Sequence, residues 1–274
     1  MSKLTANQRF LLDHPWCAFC GGTEPAVEPE HCPPRSFFQH RQWPVGFEFP
    51  ICKSCNAETS DDDLLIAVLG RMNPFDDTFS ADGRTPGLRK GVNTQVDKLL
   101  EEMMPSTTRE ARQINRSLVI SPPPGYLHRE SGVLKIPRRV HVAVCSVGRK
   151  LAKGVFYKYS TGKAFPKDGT MLLSWYSNVE LIRHGTYQAL EILKSLPADA
   201  PEIYRSGRDL RNQFECAVTL RNTDLLLQAR FGLGFALIVR GSTKPGYLEQ
   251  LARDPIDREV AMVLQSSTLP IYSL

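Results

Sequence analysis

Two cysteine pairs of the form C-x-x-C, Cys17-Ala-Phe-Cys20 and Cys52-Lys-Ser-Cys55, constrain this chain more than any other feature. Thiolates two residues apart chelate one metal ion from a tight turn, and two such pairs complete a tetrahedral four-sulfur site of the structural zinc type. The competing reading is a redox dithiol. Gly21-Gly22 follows the first pair and supports the zinc reading, because knuckle turns need residues that tolerate positive φ. The stretch from Cys20 to Cys52 is longer than a compact zinc ribbon uses, so it is expected to fold as a finger that loosens without metal. The odd count of 7 cysteines leaves Cys32, Cys145 and Cys216 outside the pairs. Cys145 and Cys216 lie in apolar surroundings and read as small buried hydrophobes.

With 274 residues and 42% hydrophobic content, the chain can bury one large core or two small ones. The charge is mild: 34 Lys+Arg against 29 Asp+Glu, a net +5, compatible with a polyanionic partner without requiring one. The opening MSKLTANQRFLLDH lacks the apolar stretch of a secretion signal, and no run approaches the ~18 apolar residues of a membrane span. A soluble, cytoplasmic protein with no membrane contact is expected, and in a reducing compartment the cysteine pairs favour metal over disulfides.

The layout reads as α+β in three parts. Residues 1–75 hold the cysteine finger, residues 76–130 a linker with helices, and residues 131–274 an α+β domain with a small antiparallel sheet. A helix is expected from Asp61 to Met72 with Ser60 as N-cap and acids in its first turn. Asn73 to Gly91 is rich in Gly, Pro and Asp and marks the domain boundary. A helical stripe through Val96, Leu99, Leu100 and Met103 is interrupted at Pro105 and resumes at Ala111 and Ile114. Val133 to Pro137 suggests a short strand. Val140, Val144, Val147, Leu151, Val155 and Tyr159 predict a long helix from Arg138 to Tyr159, on which Arg138, Arg139, Arg149, Lys150 and Lys153 form a basic face. A strand over Thr170–Tyr176, a helix over Val179–Leu196, and strands over Phe214–Leu220, Leu225–Phe231 and Gly234–Val239 complete the reading.

Within the finger lies Glu28-Pro-Glu-His-Cys-Pro-Pro-Arg35. On an extended strand Glu30 and His31 point to opposite faces, whereas a strand end or bulge would let both approach one centre. Pro33-Pro34 makes such an ending plausible. Histidine is the natural base near neutral pH, carboxylate and amide oxygens suit a hard cation, and Arg35, with Arg41 behind it, can hold a phosphate. Asn56, directly after the second knuckle, supplies the amide. The aromatics Phe37, Phe38, Trp43, Phe47 and Phe49 are expected to form the finger's core rather than a base-stacking surface. His14, His40, His128, His141 and His184 have no such company.

From Trp16 to Met72 the order C-x-x-C, acid-His, C-x-x-C, Asn resembles the HNH nuclease superfamily, the zinc-bearing ββα-metal fingers. The resemblance implies a metal-dependent endonuclease: His31 as general base, a catalytic Mg²⁺ or Mn²⁺ held by Glu30 and Asn56, Arg35 at the phosphate, and structural Zn²⁺ on Cys17, Cys20, Cys52 and Cys55. DNA is the implied substrate, ahead of RNA, and the C-terminal part would choose the target or meet a protein partner. The chain departs from the family twice. Phe47 and Glu48 stand where many members carry a bracing Asn on the second strand, and the acidic run Asp61-Asp-Asp63 follows where Lys or Arg is common. The alternative is a catalytically inactive zinc module that binds nucleic acid or protein.

Overall fold

The computed structural model describes residues 4–58, 60–72, 99–119, 134–194 and 196–246, with single positions at 121, 125 and 127. Helix α1 (Ala6–Asp13) opens on a capping box in which the Thr5 hydroxyl accepts from the Gln8 amide and the Gln8 side chain returns the bond. Strands β1 (Glu28–His31) and β2 (Glu48–Ile51) pair antiparallel with Glu28 opposite Ile51 and His31 opposite Glu48. Helices α2 (Lys53–Ala57) and α3 (Ser60–Leu69) follow. Helix α3 thus begins one residue earlier than expected and ends at Leu69 rather than Met72; the side chains of Ser60, and with it the expected cap, and of Leu100 lie outside the described residues, as do the linker from Asn73 to Gly91, Val96, Val133 and His128.

Helices α4 (Leu99–Met103) and α5 (Thr108–Ser117) break at Pro105, where a residue without an amide hydrogen cannot continue the ladder. The long helix α6 (Arg138–Tyr159) has the bounds its apolar stripe predicts. The expected strand before it is absent from residues 134–137, which are irregular. Beyond α6, β3 (Thr170–Ser177) leads to α7 (Val179–His184) and α8 (Gln188–Leu193). A single helix was expected there; Gly185, left-handed at φ 71°, ends the first with a bond from its amide to Leu181. The short hairpin β4 (Tyr204–Arg205) with β5 (Arg208–Asp209) precedes β6 (Phe214–Arg221), β7 (Asp224–Phe231) and β8 (Phe235–Ser242). Four strands form one antiparallel sheet in the order β3-β8-β7-β6, so the α+β class holds. No helix among the described residues is long and apolar enough to cross a membrane.

A single buried apolar cluster runs through both ends of the chain. It takes in Phe37, Phe38, Phe47 and Phe49 of the finger, Val144, Val147, Leu151 and Val155 of α6, and Phe214, Phe231 and Leu237 of the sheet. The rings meet edge to face: Phe37 on Phe231 at 5.6 Å, Phe38 on Phe214 at 6.3 Å, and Phe47 on Phe214 at 5.6 Å between centroids. The finger aromatics other than Trp43 are therefore core residues, but the core they serve is shared with the sheet. Cys145 and Cys216 are buried as expected.

Helix α6 sits between finger and sheet, and two of its positions must be small. At Gly154 a Cβ would lie 2.7 Å from the Phe49 ring of β2, and at Gly148 it would lie 2.4 Å from Leu173 of β3. The predicted basic face of α6 is only partly a surface on this packing: Arg138 and Arg149 stay exposed, and the other three are engaged. Lys150 is 5% exposed and turned inward, Lys153 donates to the Phe19 carbonyl at 2.7 Å, and Arg139 pairs with Glu102 at 3.1 Å. The substitution Gly154→Val is expected to lower stability by about 1–3 kcal/mol through overpacking, read as a shift in the urea midpoint; an unchanged midpoint would show that α6 does not press on the hairpin.

Candidate functional site

The two knuckles converge because the hairpin is folded over them. Ala18 donates its amide to the Pro50 carbonyl at 2.8 Å and Val27 donates to Ile51 at 2.8 Å, which carries the first knuckle to the end of β2, where Cys52 begins the second. Gly21 and Gly22 adopt φ of 77° and 74°, the positive values the turn required. As a result the sulfurs of Cys17, Cys20, Cys52 and Cys55 all lie within 4.8 Å of one another. Tetrahedral zinc with bonds near 2.3 Å places its sulfurs about 3.8 Å apart, so the set closes on a metal ion such as zinc with small side-chain movement. The Phe19 amide donates to the Cys17 sulfur at 3.3 Å and the Ser54 hydroxyl lies 3.3 Å from that of Cys52, contacts that suit thiolates. Among the described residues this is the sole cluster of three or more His, Cys, Asp or Glu side chains whose ligand atoms gather closely enough for one ion.

The strand β1 distributes its side chains by the two-residue alternation of the pleat. Pairing stays in register through His31 opposite Glu48, so no bulge turns Glu30 and His31 toward one centre. Glu28 and Glu30 share one face. Glu28 accepts from the Asn56 side-chain amide at 2.6 Å, and Glu30 accepts from the Lys150 ammonium. Lys150 also donates to Asp63 at 3.3 Å, making a buried acid-lysine-acid triad that joins β1, α3 and α6. Burial pushes the Asp63 carboxyl up to about 7 against the pull of Lys150. Burial pulls the lysine down, but the facing carboxylates, Asp63 first, outweigh it and leave Lys150 above its ordinary value. This does not match the expected pairing of Glu30 with Asn56 around a divalent cation. Each is satisfied by a different partner, and an ammonium already lies on Glu30. The residues as arranged do not fit that cation.

On the opposite face His31 packs edge-on against Trp43, their ring centroids 4.2 Å apart. Trp43 donates from Nε1 to Glu48 at 2.6 Å, which holds the indole beside the strand. Two guanidinium groups lie over that indole, Arg205 at 3.8 Å and Arg35 at 4.6 Å from its centroid. Arg205 comes from β4, donates to the Trp43 carbonyl at 3.2 Å, and approaches Glu48 at 3.8 Å. Burial of the half-buried ring, then the charge of Arg35, with smaller pushes from Arg205 and Arg41 against the opposing pull of Glu48, lowers the His31 pKa to about 4. The imidazole is therefore neutral at pH 7, in a field of three positive charges.

Of the residues the sequence suggests, His31, Arg35 and Arg41 belong to one cluster, Glu30 to a second and Asn56 to a third. Trp43, Glu48, Arg205, Asp63, Glu28 and Lys150 complete these groups. Lys150 carried a signal, since it lies in helical step with the buried Ala143, Val147 and Gly154. Arg205 carried none. Set against families of known sequences, curated proteins and solved structures, the chain matches nothing.

The neutral state of His31 has a defined direction in pH. Its folded pKa lies below the ordinary 6.5, so as pH falls from 6.5 toward 4 the unfolded chain takes up a proton that the folded chain refuses, and stability falls. In zinc-loaded protein the His31 ring signals are expected to stay fixed from about pH 8 to about pH 5.5 in a nuclear magnetic resonance titration; a midpoint near 6.5 would contradict the arrangement.

Proposed function

We propose that residues 16–72 form a zinc-stabilised HNH-type module that hydrolyses phosphodiester bonds in DNA, with Zn²⁺ on Cys17, Cys20, Cys52 and Cys55. The observation that carries the reading is the packing of His31, at the end of β1, against Trp43, over whose ring Arg35 and Arg205 both lie. A phosphodiester carries one negative charge, and two guanidinium groups flanking one indole offer donors to its oxygens. His31, free to accept a proton at pH 7, takes it from a water that attacks phosphorus as one P–O ester bond breaks, and the departing oxygen leaves as the alcohol by taking a proton from solvent. Bringing the phosphate next to the imidazole raises its proton affinity, which offsets the weakness of a base with so low a pKa. Arg35, which is exposed, and Arg205, which Trp43 and Glu48 hold in place, stabilise the added charge on the phosphoryl oxygens. Trp43 and Glu48 position His31 and Arg205. No step is assigned to a divalent cation.

The Lys150 contact on Glu30 favours one further reading, a zinc module that binds nucleic acid without cutting it. Both readings use the same arginines, and they part at the chemical step.

Purified protein incubated with supercoiled plasmid separates them. Wild type is expected to give nicked or linear product, His31→Ala to lose about 10²- to 10⁴-fold of the rate while keeping its zinc, and Arg35→Ala to cut more slowly. Equal cutting by wild type and His31→Ala would remove His31 from the chemistry. A shift of DNA in a gel by wild type with no cutting, weakened by Arg205→Ala, would give the binding reading precedence.

A further inference from the structure

The HNH-type reading puts a divalent cation on Glu30, and on that reading rests the question of what neutralises this carboxylate. Helix α6 supplies Lys150, which lies between the buried Val147 and Leu151 in sequence and is itself only 5% exposed. Its ammonium meets Glu30 of β1 and Asp63 of α3, whose side chains are 14% and 19% exposed. The second oxygen of Asp63 is buried with no hydrogen-bond partner, as happens when two carboxylates share one ammonium. Such a pocket suits a lysine and not a hydrated ion. Magnesium demands six ligands near 2.1 Å and keeps several waters, for which two nearly sealed carboxylates leave no room. Displacing the lysine would also strand a charge in the core, since the stem cannot reach solvent from the middle of a packed helix.

We propose that the Lys150 ammonium is the resident cation of the Glu30–Asp63 pair, standing where the divalent ion of an HNH-type centre would stand. Zinc is then the one metal this module needs. The lysine arrives from the C-terminal half of the chain, so the carboxylate pair is complete only when α6 is docked on the hairpin. Lys150 is a positioning residue here: it fixes β1 through Glu30 and α3 through Asp63, and so holds the strand that ends in His31.

Mn²⁺ titrated into zinc-loaded, full-length protein and followed by electron paramagnetic resonance tests this without reference to cleavage. Wild type is expected to show no Mn²⁺ site that Glu30→Gln removes. Lys150→Ala, freeing both carboxylates, is expected to gain a Mn²⁺ site that wild type lacks, and Glu30→Gln added to it should abolish that site. If Lys150→Ala sheds its zinc, Lys150→Gln, which keeps most of the stem, is read in its place. A micromolar Mn²⁺ site in wild type that depends on Glu30 would overturn the proposal, and so would a zinc-retaining Lys150 variant that gains none. Failure of wild type to cut plasmid would count against the nuclease and leave the lysine assignment standing, whereas a Glu30-dependent Mn²⁺ site in wild type would do the reverse.

Discussion

Four cysteine sulfurs gathered from two knuckles are the constraint on which the N-terminal architecture rests. The hairpin they close has two strands of four residues each, too short to be stable alone in water. A metal ion held by Cys17, Cys20, Cys52 and Cys55 would fix the end of β2 against the turn that precedes β1. The pleat then decides everything that points out of the hairpin. Glu28 and Glu30 go to one side and His31 to the other, and the register opposite Glu48 keeps them apart.

The second support is the helix α6, which touches the finger and the sheet at once. Gly154 admits the Phe49 ring, Gly148 admits Leu173, and Lys150 brings a positive charge to two carboxylates that would otherwise repel. Removing one partner from a buried ion pair costs about 3–5 kcal/mol because it strands the other charge, so β1, α3 and α6 depend on one another at this triad. The Phe37–Phe231 and Phe38–Phe214 contacts do the same through apolar area. The hairpin β4–β5 closes the arrangement from the other side by laying Arg205 on Trp43, so the chemistry around His31 draws on residues from both halves.

Much of this was legible in the residues. Strong periodicity located α6 and the strands of the sheet to within a few residues, and the cysteine spacing located the four-sulfur cluster, because both signals arise from local geometry. The break at Gly185 was missed because an apolar pattern on either side of a left-handed glycine still reads as one helix. The partners of Glu30 and Asn56 were not legible. The helical step of Lys150 with Ala143, Val147 and Gly154 signals that it turns inward, but sequence neighbours are silent about which carboxylates it meets and about an arginine arriving at Trp43 from position 205. The buried fate of Phe37, Phe38, Phe47 and Phe49 was legible as burial, but not as burial against the sheet.

X-ray absorption at the zinc edge of the purified protein tests the central claim most directly, because it reads the atoms around the metal. Four thiolates holding the ion and leaving His31 free predict a shell of four sulfurs at about 2.3 Å with no imidazole scattering. A mixed sulfur and nitrogen shell that loses its nitrogen in His31→Ala would make His31 a ligand and remove it from any role as a base.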